Sequence, residues 1–132
     1  MRSLFISLSA LALIVFTGCE KDNNSEPEVA TTILITSPSP AAIYINGGTL
    51  KVEGEMSDNN VLTNAKVEIR NKATGAILYQ QSTSTGNVGF YRFLWNWTVT
   101  GVTAPVTATV KVIAKDKLNN EVFKEMDVQL DL

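Results

Sequence analysis

The sequence predicts an all-β protein that folds as a single antiparallel β-sandwich. Three observations favour this class. From residue 31 onward, apolar and polar residues alternate with a period of two, which is typical of strands that have one buried and one solvated face. Gly, Pro, Asn and Ser separate these segments at short intervals. No segment shows the apolar period of about 3.6 residues that marks an amphipathic helix.

About seven strands are predicted, each bounded by turn residues. The first is rich in β-branched residues and ends at Pro38. In the second, Leu50, Val52 and Met56 alternate with charged residues, and the third repeats this pattern. The fourth follows a turn at Gly75. The seven segments cover residues 31–37, 49–57, 65–71, 76–83, 90–99, 105–115 and 121–132.

The fifth segment contains the two tryptophans of the chain. Trp95 and Trp97 share one face with Tyr91 and Phe93. This pattern predicts an aromatic face that lies in the core, where it supplies packing that a disulfide supplies elsewhere. The alternative is a flat exposed surface that binds glycans.

The last two segments place apolar residues on both faces. If Val112 and Val122 face inward, then Ile113 and Phe123 face outward on neighbouring strands. Two further residues sit on the outward side of the fifth segment. The predicted partner-binding patch therefore consists of Ile113, Phe123, Phe90 and Leu94, against the alternative of ordinary single apolar surface residues.

Seven short strands in about 100 residues match an immunoglobulin-like antiparallel β-sandwich, with a small closed barrel as the alternative. Two motifs strengthen this interpretation. "GGTLKVEGEMSDNN" and "VKVIAKDKLNNE" resemble the second and sixth strands of bacterial Ig-like domains. In the second motif, Asn119 stands where the family usually has Gly, and Asn tolerates a left-handed backbone. The resemblance covers roughly residues 33–132 and implies a fold rather than an activity.

The N-terminal 18 residues have the features of a cleaved secretory signal peptide. A basic start at Arg2 is followed by an apolar run of about 13 residues, which is shorter than the roughly 20 that a membrane-spanning helix needs. The alternative is a buried helix of the mature fold. Residues 19–30 are polar and predict a flexible tether, so the folded domain is expected over residues 31–132.

The only Cys of the chain, Cys19, lies at the end of the apolar run. Phe16-Thr17-Gly18-Cys19 resembles the lipobox of bacterial lipoproteins. The resemblance implies cleavage before Cys19 and a diacylglyceryl group on its thiol. It also implies membrane anchoring, since two or more acyl chains hold a protein on a bilayer. The alternative is a free thiol left by an ordinary signal peptide.

Lys21 and Asp22, which follow Cys19 and Glu20, resemble the export signal of surface lipoproteins in some Gram-negative bacteria. The resemblance implies a location on the outer membrane, facing outside the cell. The alternative is a generic charged tether.

Composition argues against most catalytic functions. The chain has no His, which removes Ser-His and Cys-His catalysis and the commonest transition-metal ligand. Its net charge of −2 argues against a nucleic-acid partner. Glu53 and Glu55 form a carboxylate pair on one solvated strand face, without the burial that a catalytic carboxylate pair needs. We therefore expect no enzyme activity.

No cofactor or metal is expected, with calcium as the one alternative. Asp58 and Asp116 follow the second and sixth predicted strands, whose loops fall at the same end of an Ig-like sandwich, and calcium takes oxygen ligands. The competing interpretation is that both carboxylates accept backbone N–H groups and shape their turns. The sequence thus predicts a lipid-anchored, noncatalytic binding or accessory module for a protein or glycan partner. The alternatives are a structural coat or spacer lipoprotein and a calcium-stabilised adhesin-like domain.

Overall fold

The structure is a computed structural model, and it describes residues 31–132. The predicted signal peptide and tether, with Cys19, Lys21 and Asp22, lie outside the described residues. No helix that could cross a membrane occurs in the described part of the chain. The strands are β1 (Thr32–Ser37), β2 (Ile43–Ile45), β3 (Thr49–Asn71), β4 (Ile77–Thr98), β5 (Val106–Asp116) and β6 (Glu121–Asp131).

Two pairs of the seven predicted strands are continuous and one strand, β2, is additional, so the structure has six strands. β3 joins the second and third segments, and β4 joins the fourth and fifth. Val61 and Asn87 have positive φ angles of 70° and 61° within these strands. At these points the backbone bends and the pairing register shifts, but the strand continues. β2 was not predicted, because a three-residue strand is too short to show alternation.

The sheet curls because β3 and β4 are long enough to take part in both of its halves. In the first half, residues 49–57 of β3 pair with β1 and with residues 90–98 of β4. In the second half, residues 64–70 of β3 pair with residues 77–84 of β4 and with β5, and β5 pairs in turn with β6. β2 lies parallel to the end of β6. All other pairings are antiparallel.

The core lies between the two halves and is built from alternate residues of each strand. Phe93 is almost fully buried, and its ring stacks on Trp95 with centroids 5.0 Å apart. Trp97 is also buried and stacks on Tyr79 of the other half at 5.9 Å. The prediction that the aromatic face is the core side is confirmed. The most deeply buried aliphatic side chains include Leu50, Val52, Met56, Leu62, Val67, Ile69, Val110, Val112, Val128 and Leu130.

Candidate interaction surface

Ile113 of β5 and Phe123 of β6 form the centre of the most prominent candidate surface. Strand alternation turns both outward, since Val112 and Ala114 on either side of Ile113 are buried. The two residues are direct partners in the antiparallel ladder, so their side chains adjoin. Ile113 is half-buried, whereas 56% of Phe123 is exposed. We call Ile113 and Phe123, together with the neighbouring charged residues Lys111, Glu125 and Glu68, the β5–β6 face.

Lys111 supports the Phe123 ring. Its Nζ atom lies 3.9 Å from the ring centroid, which is the geometry of a cation–π contact. The same ammonium group lies 3.6 Å from a carboxylate oxygen of Glu125. Lys111 thus joins the aromatic ring to the surrounding charges and limits the orientations that the ring adopts.

Glu68 of β3 is a buried carboxylate on this outward surface. Only 6% of it is exposed, because Lys66 and Arg70 close over it from the same strand. Glu68 accepts hydrogen bonds from Lys66 Nζ at 2.5 Å and from Arg70 Nη2 at 2.7 Å. These bonds, Lys66 first and then Arg70, hold the pKa of Glu68 below its ordinary value although burial opposes the shift. Sequence reasoning missed this group, although the alternating Lys66-x-Glu68-x-Arg70 spacing was a signal that could have found it.

The charges of this face follow a regular order across the sheet. Glu68 is the ladder partner of Lys111, and Lys111 is the partner of Glu125, so opposite charges alternate in one row. Two residues after Glu125 on β6, Asp127 accepts hydrogen bonds from Lys72 and from the Thr109 hydroxyl, and these bonds lower its pKa. The β5–β6 face is therefore an apolar pair beside an ordered polar rim, an arrangement found in protein interfaces.

Phe90 and Leu94, the other two residues of the predicted patch, lie on the other half of the sheet. They are 51% and 56% exposed on residues 90–98 of β4, where Phe90 faces Ser57 and Leu94 faces Glu53. Arg92 stands between them, 5.8 Å from the Phe90 ring. The structure thus brings Ile113 and Phe123 together, but it does not bring this pair together with Phe90 and Leu94.

Asp116 shapes the turn between β5 and β6. It is buried and accepts hydrogen bonds from the backbone N–H groups of Leu118 and Asn120, both at 2.8 Å, and from the Asn120 amide at 2.9 Å. Burial opposes its ionisation, but the bonds from Asn120 and Leu118 outweigh that effect and the pKa of Asp116 lies below its ordinary value. Asn119 in the same turn has a φ of 65°, as expected for an Asn at the usual Gly position.

Asp58 lies at the bend of β3 and plays the same part there that Asp116 plays in the turn between β5 and β6. It is buried and accepts hydrogen bonds from the Thr31 hydroxyl and the Asn60 backbone N–H. The two turns are linked, because Lys117 donates its backbone N–H to the Val61 carbonyl at 3.0 Å. Among residues 31–132, no group of three or more acidic, His or Cys side chains could hold a metal ion. Both carboxylates thus accept backbone N–H groups, as the turn-shaping interpretation expects.

No protein-family model and no curated protein matches this sequence. Solved structures do resemble the fold. The fibronectin(III)-like modules of CbhA from Clostridium thermocellum match 77% of this chain with a TM-score of 0.52 and 16% sequence identity. This chain spans 46% of the length of that structure. The fold is an immunoglobulin-like β-sandwich.

Two further solved structures match the same share of the chain at lower similarity. CopC from Methylosinus trichosporium OB3b matches 77% of this chain, and 94% of its own length, with a TM-score of 0.47 and 10% identity. Murine CRIg matches 77% of this chain and 97% of its own length, with a TM-score of 0.43 and 10% identity. Neither match bears on a ligand or an activity of this chain.

Proposed function

We propose that this protein is a lipid-anchored, noncatalytic binding module of the outer membrane, facing outside the cell, and that its β5–β6 face binds a protein or glycan partner. The observation that carries the binding role is Phe123, which stands more than half exposed beside Ile113. An aromatic ring with an aliphatic neighbour can cover the apolar face of a sugar or fill a pocket of a protein.

The side chains around Ile113 and Phe123 are held in place by contacts with each other, which supports a binding role. Lys111 contacts the Phe123 ring, and Glu68 is held ionised by Lys66 and Arg70. Such a surface loses little conformational freedom when a partner docks, because its side chains already have partners that orient them. A structural coat or spacer would not require an exposed aromatic ring in this setting.

The anchoring proposal rests on the lipobox resemblance at Cys19. It is tested by expressing the full chain in a Gram-negative bacterium that is fed an alkyne-bearing fatty acid. The wild-type chain should incorporate the label and fractionate with the outer membrane, whereas Cys19→Ala should do neither. Unlabelled wild-type protein would refute the anchor. Antibody access to intact cells tests orientation, with Lys21→Ala and Asp22→Ala as variants that should lose surface exposure.

The binding proposal is tested with a double substitution, Ile113→Glu with Phe123→Lys. Wild-type protein should capture a specific protein from native envelope extracts or a specific glycan on an array, and the double variant should lose that capture. Leu34→Glu is the matched control, since Leu34 is 50% exposed on the other half of the sheet. Equal capture by all three proteins would show that the β5–β6 face is not the binding surface. If wild-type protein captures neither ligand class, the spacer role is favoured.

A further inference from the structure

One side of β4 makes no strand pairing within the described residues. β4 has 22 residues, and its ladder partner is β3 throughout. The backbone N–H and C=O groups that point away from β3 are therefore available along a long edge. An open edge of this kind is a template for another strand.

The other edges of the sheet carry features that discourage pairing, whereas residues 90–98 of β4, which follow the bend at Asn87, carry none of these features. β1 has six residues and is followed by Pro38 and Pro40. β6 is partly covered by β2, and its open part has Lys124 at an inward position opposite Val112. Short strands, prolines and inward charges are the usual protections of edge strands. In contrast, β4 contains no Pro, and its single charged residue is Arg92.

Residues 90–98 are the part of β4 whose backbone is best fixed for pairing with another strand, and we call them the β4 edge. Their inward side chains are fixed in the core, since Phe93, Trp95 and Trp97 are all buried. The Trp95 indole N–H also donates a hydrogen bond of 3.3 Å to the Thr83 hydroxyl on the other half of the sheet. The backbone of the β4 edge is therefore held in an extended form before any partner arrives, which reduces the entropy lost on pairing.

The side chains of the β4 edge fit a second copy of the same edge. In an antiparallel pair centred on Leu94, each Leu94 faces its symmetry mate. Arg92 then faces Asn96 of the other copy, and Phe90 faces Thr98, because opposite positions are equidistant from the centre. No like charges oppose each other, and an aromatic residue lies opposite a β-branched one, which is a favourable cross-strand pair. Phe90 and Leu94, which are 51% and 56% exposed, would each gain a lateral contact with the facing residue of the other copy.

We propose that the protein forms a twofold symmetric dimer through antiparallel pairing of the β4 edges. The three-stranded half β1–β3–β4 of one copy then continues into the same half of the other copy. The interface is isologous, which is the commonest form of homodimer contact. This proposal does not depend on the lipid anchor or on the β5–β6 face, which lies on the other half of the sheet.

The first test uses crosslinking in the full chain carrying Cys19→Ala, which has no other Cys. Leu94→Cys introduces one thiol at the proposed twofold axis, and Leu34→Cys introduces one at a similarly exposed position on β1. A short bismaleimide should convert the Leu94→Cys chain into a covalent dimer and leave the Leu34→Cys chain monomeric. Equal crosslinking of both variants, or none at position 94, would overturn the proposal.

The second test measures mass by sedimentation in detergent, also in the Cys19→Ala chain. The parent chain should sediment as a dimer across the micromolar range. Leu94→Lys should shift it to monomer, since two like charges would meet at the axis, and Leu34→Lys should leave it a dimer. Thermal unfolding of each variant checks that the domain is folded. If the folded Cys19→Ala chain is monomeric at every concentration in this range, the dimer is refuted. This holds even if a strand of a different protein is found paired with the β4 edge.

Discussion

The ammonium group of Lys111 lies over the ring of Phe123, 3.9 Å from its centroid, while a carboxylate oxygen of Glu125 lies 3.6 Å from the same ammonium. A single lysine therefore orients an exposed aromatic ring and belongs to a row of alternating charges. A ring held in this way is available to a partner without being part of the core. This distinction between a binding aromatic and a core aromatic can be tested directly.

Phe123→Ala and Phe93→Ala form a matched pair that differs in burial. Phe123 is 56% exposed, and its removal should lower the free energy of unfolding by less than about 1 kcal/mol, the size of an exposed cation–π contact. Phe93 is 1% exposed and stacks on Trp95, so its removal should cost about 3–5 kcal/mol. Urea unfolding measures both values. A cost for Phe123→Ala close to that of Phe93→Ala would place Phe123 in the core and remove the basis of the binding proposal.

Gly54→Ala should destabilise the domain strongly. A Cβ atom at Gly54 would lie 2.0 Å from the Leu34 carbonyl oxygen and 2.6 Å from the Phe93 ring, and the backbone oxygen cannot move without disturbing the β1–β3 ladder. We expect a loss of about 3 kcal/mol or more. Gly89→Ala is the control, since its nearest neighbour would be at 3.4 Å, an ordinary contact. Thermal unfolding of both variants should show a large drop only for Gly54→Ala, and similar midpoints would contradict the close approach of β1 to β3.

Stability should fall in acid because of Glu68 and Asp127. Hydrogen bonds from Lys66 and Arg70 lower the pKa of Glu68, and bonds from Lys72 and Thr109 lower that of Asp127. A lowered pKa in the folded state means that the contribution to stability is fully present above the unfolded pKa and is lost as pH falls through the folded pKa, below about pH 4.

Glu68→Gln should therefore reduce stability at neutral pH by about 1 kcal/mol and make the loss of stability in acid less steep. Urea unfolding between neutral and acidic pH measures both effects. Glu121→Gln, at an exposed position, is the control and should change stability by less than about 0.5 kcal/mol. An unchanged acid dependence in Glu68→Gln would show that the Lys66–Glu68–Arg70 contacts are not formed in solution.

The turn between β5 and β6 should accept Gly at position 119 and reject a β-branched residue. Asn119 has a φ of 65°, a left-handed conformation that Gly adopts without steric cost and that Val does not. Asn119→Gly should leave the unfolding free energy within about 0.5 kcal/mol of wild type, whereas Asn119→Val should lower it by roughly 1–2 kcal/mol. Equal stability of the two variants in a thermal melt would contradict the left-handed turn.

Calcium should not stabilise the domain. The carboxylate oxygens of Asp58 and Asp116 already accept hydrogen bonds from Thr31, Asn60, Leu118 and Asn120. We expect the same unfolding midpoint in millimolar calcium and in excess chelator. A midpoint that rises with calcium concentration would instead favour the adhesin-like alternative, since a ligand that binds only the folded state stabilises it by mass action.

Alternation along the chain predicted which face of most strands is buried, except at the start of β6, where Val122 on the inward side is 37% exposed. Trp95 and Trp97 face the core and Phe123 faces solvent, as expected, because strand geometry sends successive side chains to opposite sides whatever the neighbouring strands are. The left-handed Asn119 was predicted from its place in a turn motif. The anchor at Cys19 remains a prediction from the sequence alone.

The sequence by itself thus determined the all-β class, most of the inward and outward residues, and the outward position of Ile113 and Phe123 on neighbouring strands, while the structure gave their direct pairing. Only the tertiary structure decided that β3 and β4 continue through two predicted turns, that β2 lies beside β6, and that Phe90 and Leu94 occupy a different surface from Ile113. It also revealed the buried Glu68 and the open side of β4. The reason is physical. The side that a residue faces depends on the local backbone, whereas strand continuity and edges depend on hydrogen bonds to segments far away in the chain.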